Sequence, residues 1–132
     1  MRSFALISFL VVCAGAASAA DGPASLNGSW VGEMRQVDVD RETRYPMTLT
    51  LSGKTGASTY RQLKCAGTLT KVGETKTGYV IYQETIKNEP GATCIDGIVT
   101  VMGDAGKVIL GWYAAFQGAP SLASAVLSKE TK

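Results

Sequence analysis

The stretch RYPMTLTLS, residues 44–52, decides the fold class of this chain. Apolar and polar side chains alternate through it with a period of two, the pattern of a β-strand with one buried face. The apolar positions, which share one parity, are Tyr45, Met47, Leu49 and Leu51. Pro46 has the opposite parity and cannot donate to a ladder, so it predicts a strand start, a sheet edge or a bulge.

Similar short runs lie on both sides of this stretch, separated by clusters of Gly, Pro, Asp and Ser. They cover residues 29–37, 58–72, 79–87, 94–102, 107–116 and 122–129. None has a helical period, and GDAG at residues 103–106 is a tight hairpin signal. The chain thus has seven runs, or eight if the run at 58–72 bends near Arg61. We predict an all-β fold: a small antiparallel meander of about eight strands, closed into a barrel that hides its edges.

The first twenty residues, MRSFALISFLVVCAGAASAA, have the organisation of a secretory signal peptide. Arg2 is their single charge, an apolar run follows, and an A-x-A cleavage pattern ends at Ala19. The apolar run is too short to span a bilayer. We therefore predict a signal peptide at residues 1–20, a single β-barrel domain at residues 21–132, no membrane span, and export to the periplasm or beyond.

Two cysteines remain after such a cleavage, Cys65 and Cys94. An even pair in an exported chain predicts a disulfide. In the chain-entropy model, a closed loop of this length is stabilised by about 3–4 kcal/mol. A metal-binding pair is the alternative, but the sequence has no histidine that would complete a metal site. We predict no metal and no cofactor.

The charge of the chain argues against nucleic acid as a partner. The formal net charge is +2 and falls to +1 without Arg2, and no basic run occurs. Nucleophilic catalysis lacks a histidine base, and neither the S-x-x-K nor the G-x-S-x-G spacing is present. We predict that the protein is not an enzyme and has no catalytic residues.

Glu84 is the polar residue whose position asks for an explanation. It shares its parity with Tyr82 and Ile86, so a regular strand points it toward the apolar side. A carboxylate there must be paired or have its pKa raised. Three roles remain open: a structural pair with Arg61 or another basic group, an acid that orients a ligand, and a catalytic acid. The last would require a second carboxylate, and Asp96 lies in IDGI, a context typical of a bulge or turn.

Aromatic side chains supply the other candidate binding residues. Tyr60 and Tyr82 are amphipathic, so each suits either the edge of the core or a recognition surface. Trp112 and Tyr113 are adjacent in one strand and must point to opposite faces, one into the core and the other outward. With Arg61 and Glu84, these four residues complete the set of candidate binding positions.

The segment NGSW, residues 27–30, resembles the Gly-x-Trp that opens the first strand of calycin barrels, the lipocalin and avidin group. Gly28 and Trp30 are the matching positions. The resemblance implies that Trp30 plugs one end of the barrel and that a late basic side chain covers it. Lys129 holds that late basic position here.

Nearly the whole chain after the leader resembles a small extracytoplasmic domain of bacterial secreted proteins, also appended to some bacterial receptor-like Ser/Thr kinases. The matching positions are Gly28, Trp30, Gly32, Tyr45, Pro46, Tyr60, Leu63, Cys65, Gly67, Leu69, Glu84, Ile86, Cys94, Asp96, Gly97 and Trp112. Members of that family often have proline after the tyrosine, where this chain has Arg61. The resemblance implies the barrel fold and carries little information about function.

A third, looser likeness is to bacterial periplasmic lysozyme inhibitors, which are exported, disulfide-linked small barrels; their signature loops have only a distant counterpart here, SGKTGASTY, residues 52–60. We therefore expect a binding protein, most concretely a periplasmic inhibitor or regulator of a lysozyme-type cell-wall hydrolase. The alternatives are a carrier of a small apolar ligand, and a glycan- or wall-binding barrel that uses Trp112 or Tyr113. Bulky inward residues such as Trp30 and Met34 predict a filled interior, which counts against a carrier.

Overall fold

The computed structural model describes residues 26–131, which form a closed antiparallel β-barrel. Its strands are β1 (Gly28–Val37), β2 (Glu42–Ser52), β3 (Thr55–Tyr60), β4 (Cys65–Glu74), β5 (Val80–Asn88), β6 (Gly97–Asp104), β7 (Lys107–Phe116) and β8 (Ala119–Lys129). Each strand pairs with the next, and β8 returns to pair with β1. The predicted all-β meander barrel of eight strands is confirmed. The predicted signal peptide at residues 1–20 lies outside the described residues.

The run at residues 58–72 does bend at Arg61, which gives the eighth strand. A single 3-10 turn, Arg61–Leu63, ends β3, and Lys64 adopts the left-handed conformation (φ 58°) before β4 begins. The GDAG hairpin is also present: Ala105 (φ 49°) and Gly106 (φ 78°) form its two-residue turn.

Several strand boundaries differ from the sequence pattern, and the largest shifts, of three residues, are at the starts of β3, β6 and β8. The run at residues 94–102 becomes strand only at Gly97, because Cys94 is held by the disulfide and by two hydrogen bonds with the side chain of Asn88. Pro46 lies inside β2, where the ladder to β3 has not yet started; that ladder begins at Thr48. The proline therefore occupies a local edge, one of the predicted settings.

One end of the barrel is closed by Trp30, as the calycin resemblance implied. The indole Nε1 donates to the carbonyl of Leu26 at 2.8 Å, and the Lys129 ammonium lies 4.8 Å from the ring centroid. Lys129 also donates to the carbonyl of Asn27 at 3.0 Å. Gly28 has φ 120°, a backbone conformation that side-chain-bearing residues rarely adopt, so glycine is favoured there.

The interior is packed from this closed end upward. The buried apolar side chains of the core are Leu26, Trp30, Met34, Tyr45, Met47, Leu49, Leu51, Tyr60, Cys65, Leu69, Val80, Tyr82, Val99, Val101, Val108, Leu110, Ala123, Ala125 and Leu127. Toward the opposite end the inward residues of β8 become small: Ala125, then Ala123, then Ser121. Because these side chains fill little volume, the barrel stays open at that end.

A disulfide joins Cys65 at the start of β4 to Cys94 in the loop at residues 89–96, with a Cα–Cα distance of 6.4 Å. The predicted pairing is confirmed. Both cysteines lie at the open end, so the bond fixes a loop that borders the barrel mouth. In the part of the chain that the structure describes, no helix is long and apolar enough to cross a membrane.

Candidate functional site

The open end of the barrel contains a cavity of about 810 Å³. Apolar side chains form part of its wall, among them Leu63, Ile86 and Phe116. The remainder is polar or amphipathic, and the conspicuous members are Gln36, Asp38, Tyr45, Tyr60, Glu84 and Trp112. Residues 91–95 of the disulfide-linked loop close one side. A concave, mostly apolar site with a few converging polar groups is the usual form of a small-molecule site.

Glu84 lies at the floor of this cavity and is 1% exposed. Its Oε2 accepts hydrogen bonds from the Ser58 hydroxyl at 2.5 Å and the Tyr60 hydroxyl at 2.7 Å. Its Oε1 accepts one from the indole Nε1 of Trp112 at 2.9 Å. The donors come from β3 and β7, so this one carboxylate ties both strands to β5 across the strands between them. We call these four residues the Glu84 network.

Two glycines make the Glu84 network sterically possible. A Cβ on Gly67 of β4 would collide with the Ser58 hydroxyl and lie 2.7 Å from Cγ and 2.8 Å from Oε2 of Glu84. A Cβ on Gly97 of β6 would lie 2.5 Å from Nε1 of Trp112. Since β4 and β6 flank β5, a glycine on each side opens the path from the carboxylate to its donors.

A second polar group lies higher in the mouth, around Asp38. Its Oδ1 accepts hydrogen bonds from the Ser121 hydroxyl at 2.5 Å and from Nε2 of Gln36 at 3.0 Å. These bonds favour the charged form and lower the pKa of Asp38. The Tyr45 hydroxyl donates to Oε1 of Gln36 at 2.6 Å, and Nε of Arg41 lies 3.9 Å from the Asp38 carboxylate.

The two tyrosines of the cavity are neutral hydrogen-bond donors. Burial, with the nearby charge of Glu84, raises the pKa of Tyr45 to about 12. Burial and the same carboxylate also raise the pKa of Tyr60. The rings pack edge to face with centroids 5.9 Å apart. Both hydroxyls therefore keep their protons at physiological pH and present fixed donors.

The structure brings together three of the six candidate binding residues: Tyr60, Glu84 and Trp112. Tyr82 is buried in the core and turns toward the closed end, where its hydroxyl donates to the carbonyl of Gly53 at 3.4 Å. Tyr113 lies on the outer face of β7, 49% exposed, so of the adjacent aromatic pair Trp112 is the inward one.

The expected pairing of Glu84 with Arg61 is wrong. Arg61 lies in the 3-10 turn and is exposed, bordering a separate outer groove of about 530 Å³. Across residues 26–131, no ion pair involves Glu84, and neutral donors take the place of a cation. Asp96 is a structural acid, as its context indicated: its carboxylate accepts the backbone N–H of Ile86 at 2.7 Å.

Four residues of the cavity's hydrogen-bond networks were not identified from the sequence: Ser58, Gln36, Asp38 and Tyr45. Tyr45 was predicted to be buried, but not to form a hydrogen bond through its hydroxyl. Ser58 shares the inward parity of Tyr60, and a serine at an inward strand position is the signal that would have pointed to it. Gln36 and Asp38 continue the inward parity of Trp30 and Met34 to the mouth.

Within the described residues, no cluster of three or more His, Cys, Asp or Glu residues is arranged to hold a metal ion.

The outer groove is a second polar surface, beside the disulfide. Arg61, Lys64 and Lys87 border it together with Glu89. In the part of the chain that is described, none of these three cations forms an ion pair. The backbone there is fixed, because Lys64 N–H donates to the Arg61 carbonyl and Glu89 N–H to the Lys64 carbonyl.

Comparison with known proteins gives no match: neither a protein family, nor a curated protein, nor a solved structure matches this chain. The family resemblances drawn from the sequence motifs therefore stay predictions. Any functional conclusion must come from the geometry of the site.

Proposed function

We propose that this protein is an exported, non-enzymatic binding protein that holds a small amphipathic molecule in the open mouth of its barrel. The observation that carries the proposal is the cavity of about 810 Å³ with the Glu84 carboxylate at its floor. Small-molecule sites typically have volumes of roughly 300–1,000 Å³ and a few precisely placed polar groups. Both properties are present here.

The predicted filled interior, which counts against a ligand carrier, is confined to the part of the barrel below the mouth. The bulky residues named from the sequence, Trp30 and Met34 among them, are indeed buried. Trp30 packs at the closed end and Met34 is buried in the core without lining the cavity, while small residues of β8 leave room near the mouth. A molecule can therefore enter without displacing the core.

The cavity wall is held in place before any ligand arrives. The Cys65–Cys94 bond fixes the loop at residues 89–96, and the Asn88 side chain exchanges two hydrogen bonds with the backbone of Cys94. A preformed wall limits the conformational entropy that is lost on binding.

Replacement of Ile86 by tryptophan is expected to empty the site. Ile86 lies one inward position above Glu84 on β5 and lines the cavity, so an indole there fills the space over the carboxylate. We expect native mass spectrometry of protein purified from its own cells to show an added mass on the wild type that is absent from Ile86→Trp. The matched control is Ile81→Trp, on the same strand with the opposite parity, which should retain the added mass. Equal retention by both variants, or no added mass on the wild type, contradicts the proposal.

A second candidate is the inhibitor or regulator of a lysozyme-type cell-wall hydrolase, and the outer groove favours it. Hydrolases of this class have a cleft that contains carboxylates. Arg61, Lys64 and Lys87, which form no ion pair within residues 26–131, have the charge that such a cleft attracts.

The inhibitor proposal is tested with a panel of purified lysozymes and muramidases, including those of the same cell, by the turbidity loss of cell walls. We expect wild-type protein to slow at least one enzyme, and the double variant Arg61→Ala with Lys87→Ala to lose at least about tenfold in potency. Lys54→Ala, at the opposite end of the barrel, is the control and should inhibit like the wild type. Unchanged hydrolysis across the panel eliminates this candidate.

A further inference from the structure

The Glu84 carboxylate has no cation to balance its charge in the described residues. All five ion pairs there involve other carboxylates, and the three contacts of Glu84 come from two hydroxyls and an indole. Hydrogen bonds from neutral donors stabilise a buried carboxylate but leave its net charge in a region poor in water. The floor of the cavity is therefore electrostatically negative.

One acceptor position of this carboxylate receives no hydrogen bond from the residues that the structure describes. Two carboxylate oxygens offer about four lone-pair positions in all. The hydroxyls of Ser58 and Tyr60 use both positions of Oε2, and Trp112 uses one of Oε1. Because Glu84 lines the cavity while only 1% exposed, the opening suits a single donor group and not a hydrated ion.

The charges around this floor favour a cation as that donor. Asp38 adds a second carboxylate in the mouth, and the one cation of the described lining, Arg41, is an exposed rim residue beside it. The rings of Tyr45, Tyr60 and Trp112 also line the cavity, and they offer an apolar body a large surface to pack against.

We propose that the ligand of the mouth cavity carries a protonated amine that binds the free acceptor position of Glu84, joined to an apolar body that packs against the aromatic wall. This inference rests on the proposed function and names the chemical class of its ligand. The ammonium completes the hydrogen bonding of Oε1 and neutralises the floor. Phe116 and Leu63 at the rim cover the apolar body.

The experiment compares three probes with one carbon skeleton: phenylbutylamine, phenylbutanol and phenylbutyrate. Their affinities for the wild type, Glu84→Gln and Glu74→Gln are measured by calorimetry. Glu84→Gln removes the charge and keeps the side chain's shape and an oxygen acceptor for Trp112. Glu74→Gln makes the same change in net charge at the other end of the barrel, where Glu74 pairs with Lys71, and is the control.

We expect the wild type and Glu74→Gln to bind the amine at least about tenfold more tightly than the alcohol, and the acid most weakly. In Glu84→Gln this preference should disappear while the affinity for the alcohol stays within about threefold of the wild type. The amine-over-alcohol ratio of the wild type tests the inference by itself, even if Glu84→Gln does not fold.

Equal wild-type affinities for amine and alcohol, or a preference that survives in Glu84→Gln, overturn the inference. If Ile86→Trp still blocks these probes, the cavity proposal stands without the amine. Failure of all three probes to bind also overturns the inference, and the native mass of cell-derived protein then decides separately whether the cavity holds a ligand.

Discussion

Replacing Gly67 by alanine is expected to lower the free energy of unfolding by about 3 kcal/mol. The added Cβ collides with the Ser58 hydroxyl and lies 2.7 Å from Cγ of Glu84. Both neighbours are 1% exposed, so neither can move into solvent without breaking the packing. Overpacking alone typically costs 1–3 kcal/mol, and displacement of Glu84 from its donors adds the penalty of an unsatisfied buried carboxylate.

Gly73→Ala is the matched control, because Gly73 lies on the same strand and a Cβ there meets nothing within 4 Å. We expect it to change stability by no more than about 0.5 kcal/mol. Urea unfolding followed by tryptophan fluorescence gives both values. If Gly67→Ala proves as stable as Gly73→Ala, the Glu84 network is not held as tightly as its geometry indicates.

Loss of the Cys65–Cys94 bond is expected to lower stability by about 3–4 kcal/mol. The bond closes a loop with a sequence separation of 29 and thereby restricts the unfolded chain. For a domain whose total stability is about 5–15 kcal/mol, this is a large share. Urea unfolding of Cys65→Ser with Cys94→Ser, against the oxidised wild type, measures it.

The same double variant should also loosen one wall of the cavity. The amide of Cys94 donates to the Asn88 side chain, and the amide of Ala92 donates to the Glu89 carbonyl. We expect faster hydrogen exchange at these two amides, while amides of β7 and β8 on the far side exchange as before once global stability is allowed for. A loss of stability without local acceleration would mean that the disulfide does not shape the mouth.

The sequence predicted the barrel because its evidence is local. The alternation in residues 44–52 recurs in most of the other runs, the run at 107–116 being apolar on both parities, and hairpin signals such as Ala105-Gly106 lie between the runs. A closed meander follows from short links and the need to cover edges. The disulfide and the position of Trp30 were predictable for a similar reason. The first follows from an even pair of cysteines in an exported chain, and the second from the short motif Gly28-x-Trp30.

The Glu84 network could be foreseen only in part. Parity placed Glu84 inward. Its hydrogen bonds to the donors are possible only because Gly67 and Gly97, on the neighbouring strands, have no side chain in the space between the carboxylate and those donors. Arg61 lies three positions after Ser58, the inward serine of β3, in a 3-10 turn that leaves its side chain exposed. A basic partner looked reasonable because a buried charge suggests a counterion, whereas the structure supplies three neutral donors.

The cavity itself was not visible in the sequence, because it depends on where large and small side chains meet across the barrel. Trp30 and Met34 indicated a filled interior; Trp30 does fill the closed end, and Met34 is fully buried in the core. Ser121, Ala123 and Ala125 leave the mouth open, but their effect requires the pairing of β8 with β1 and β7.

The two tryptophans of the chain allow one direct measurement of the central claim, that a ligand binds in the mouth against the Glu84 network. The Trp112 indole N–H donates to Glu84 beside the cavity, and the Trp30 indole N–H donates to the Leu26 carbonyl at the closed end. The two indole cross-peaks of a proton–nitrogen correlation spectrum, assigned with Trp30→Phe and Trp112→Phe, are followed during titration with phenylbutylamine. We predict that the Trp112 peak shifts until saturation while the Trp30 peak stays in place. A Trp112 peak that does not move while the probe binds, or a shift confined to Trp30, would contradict the account.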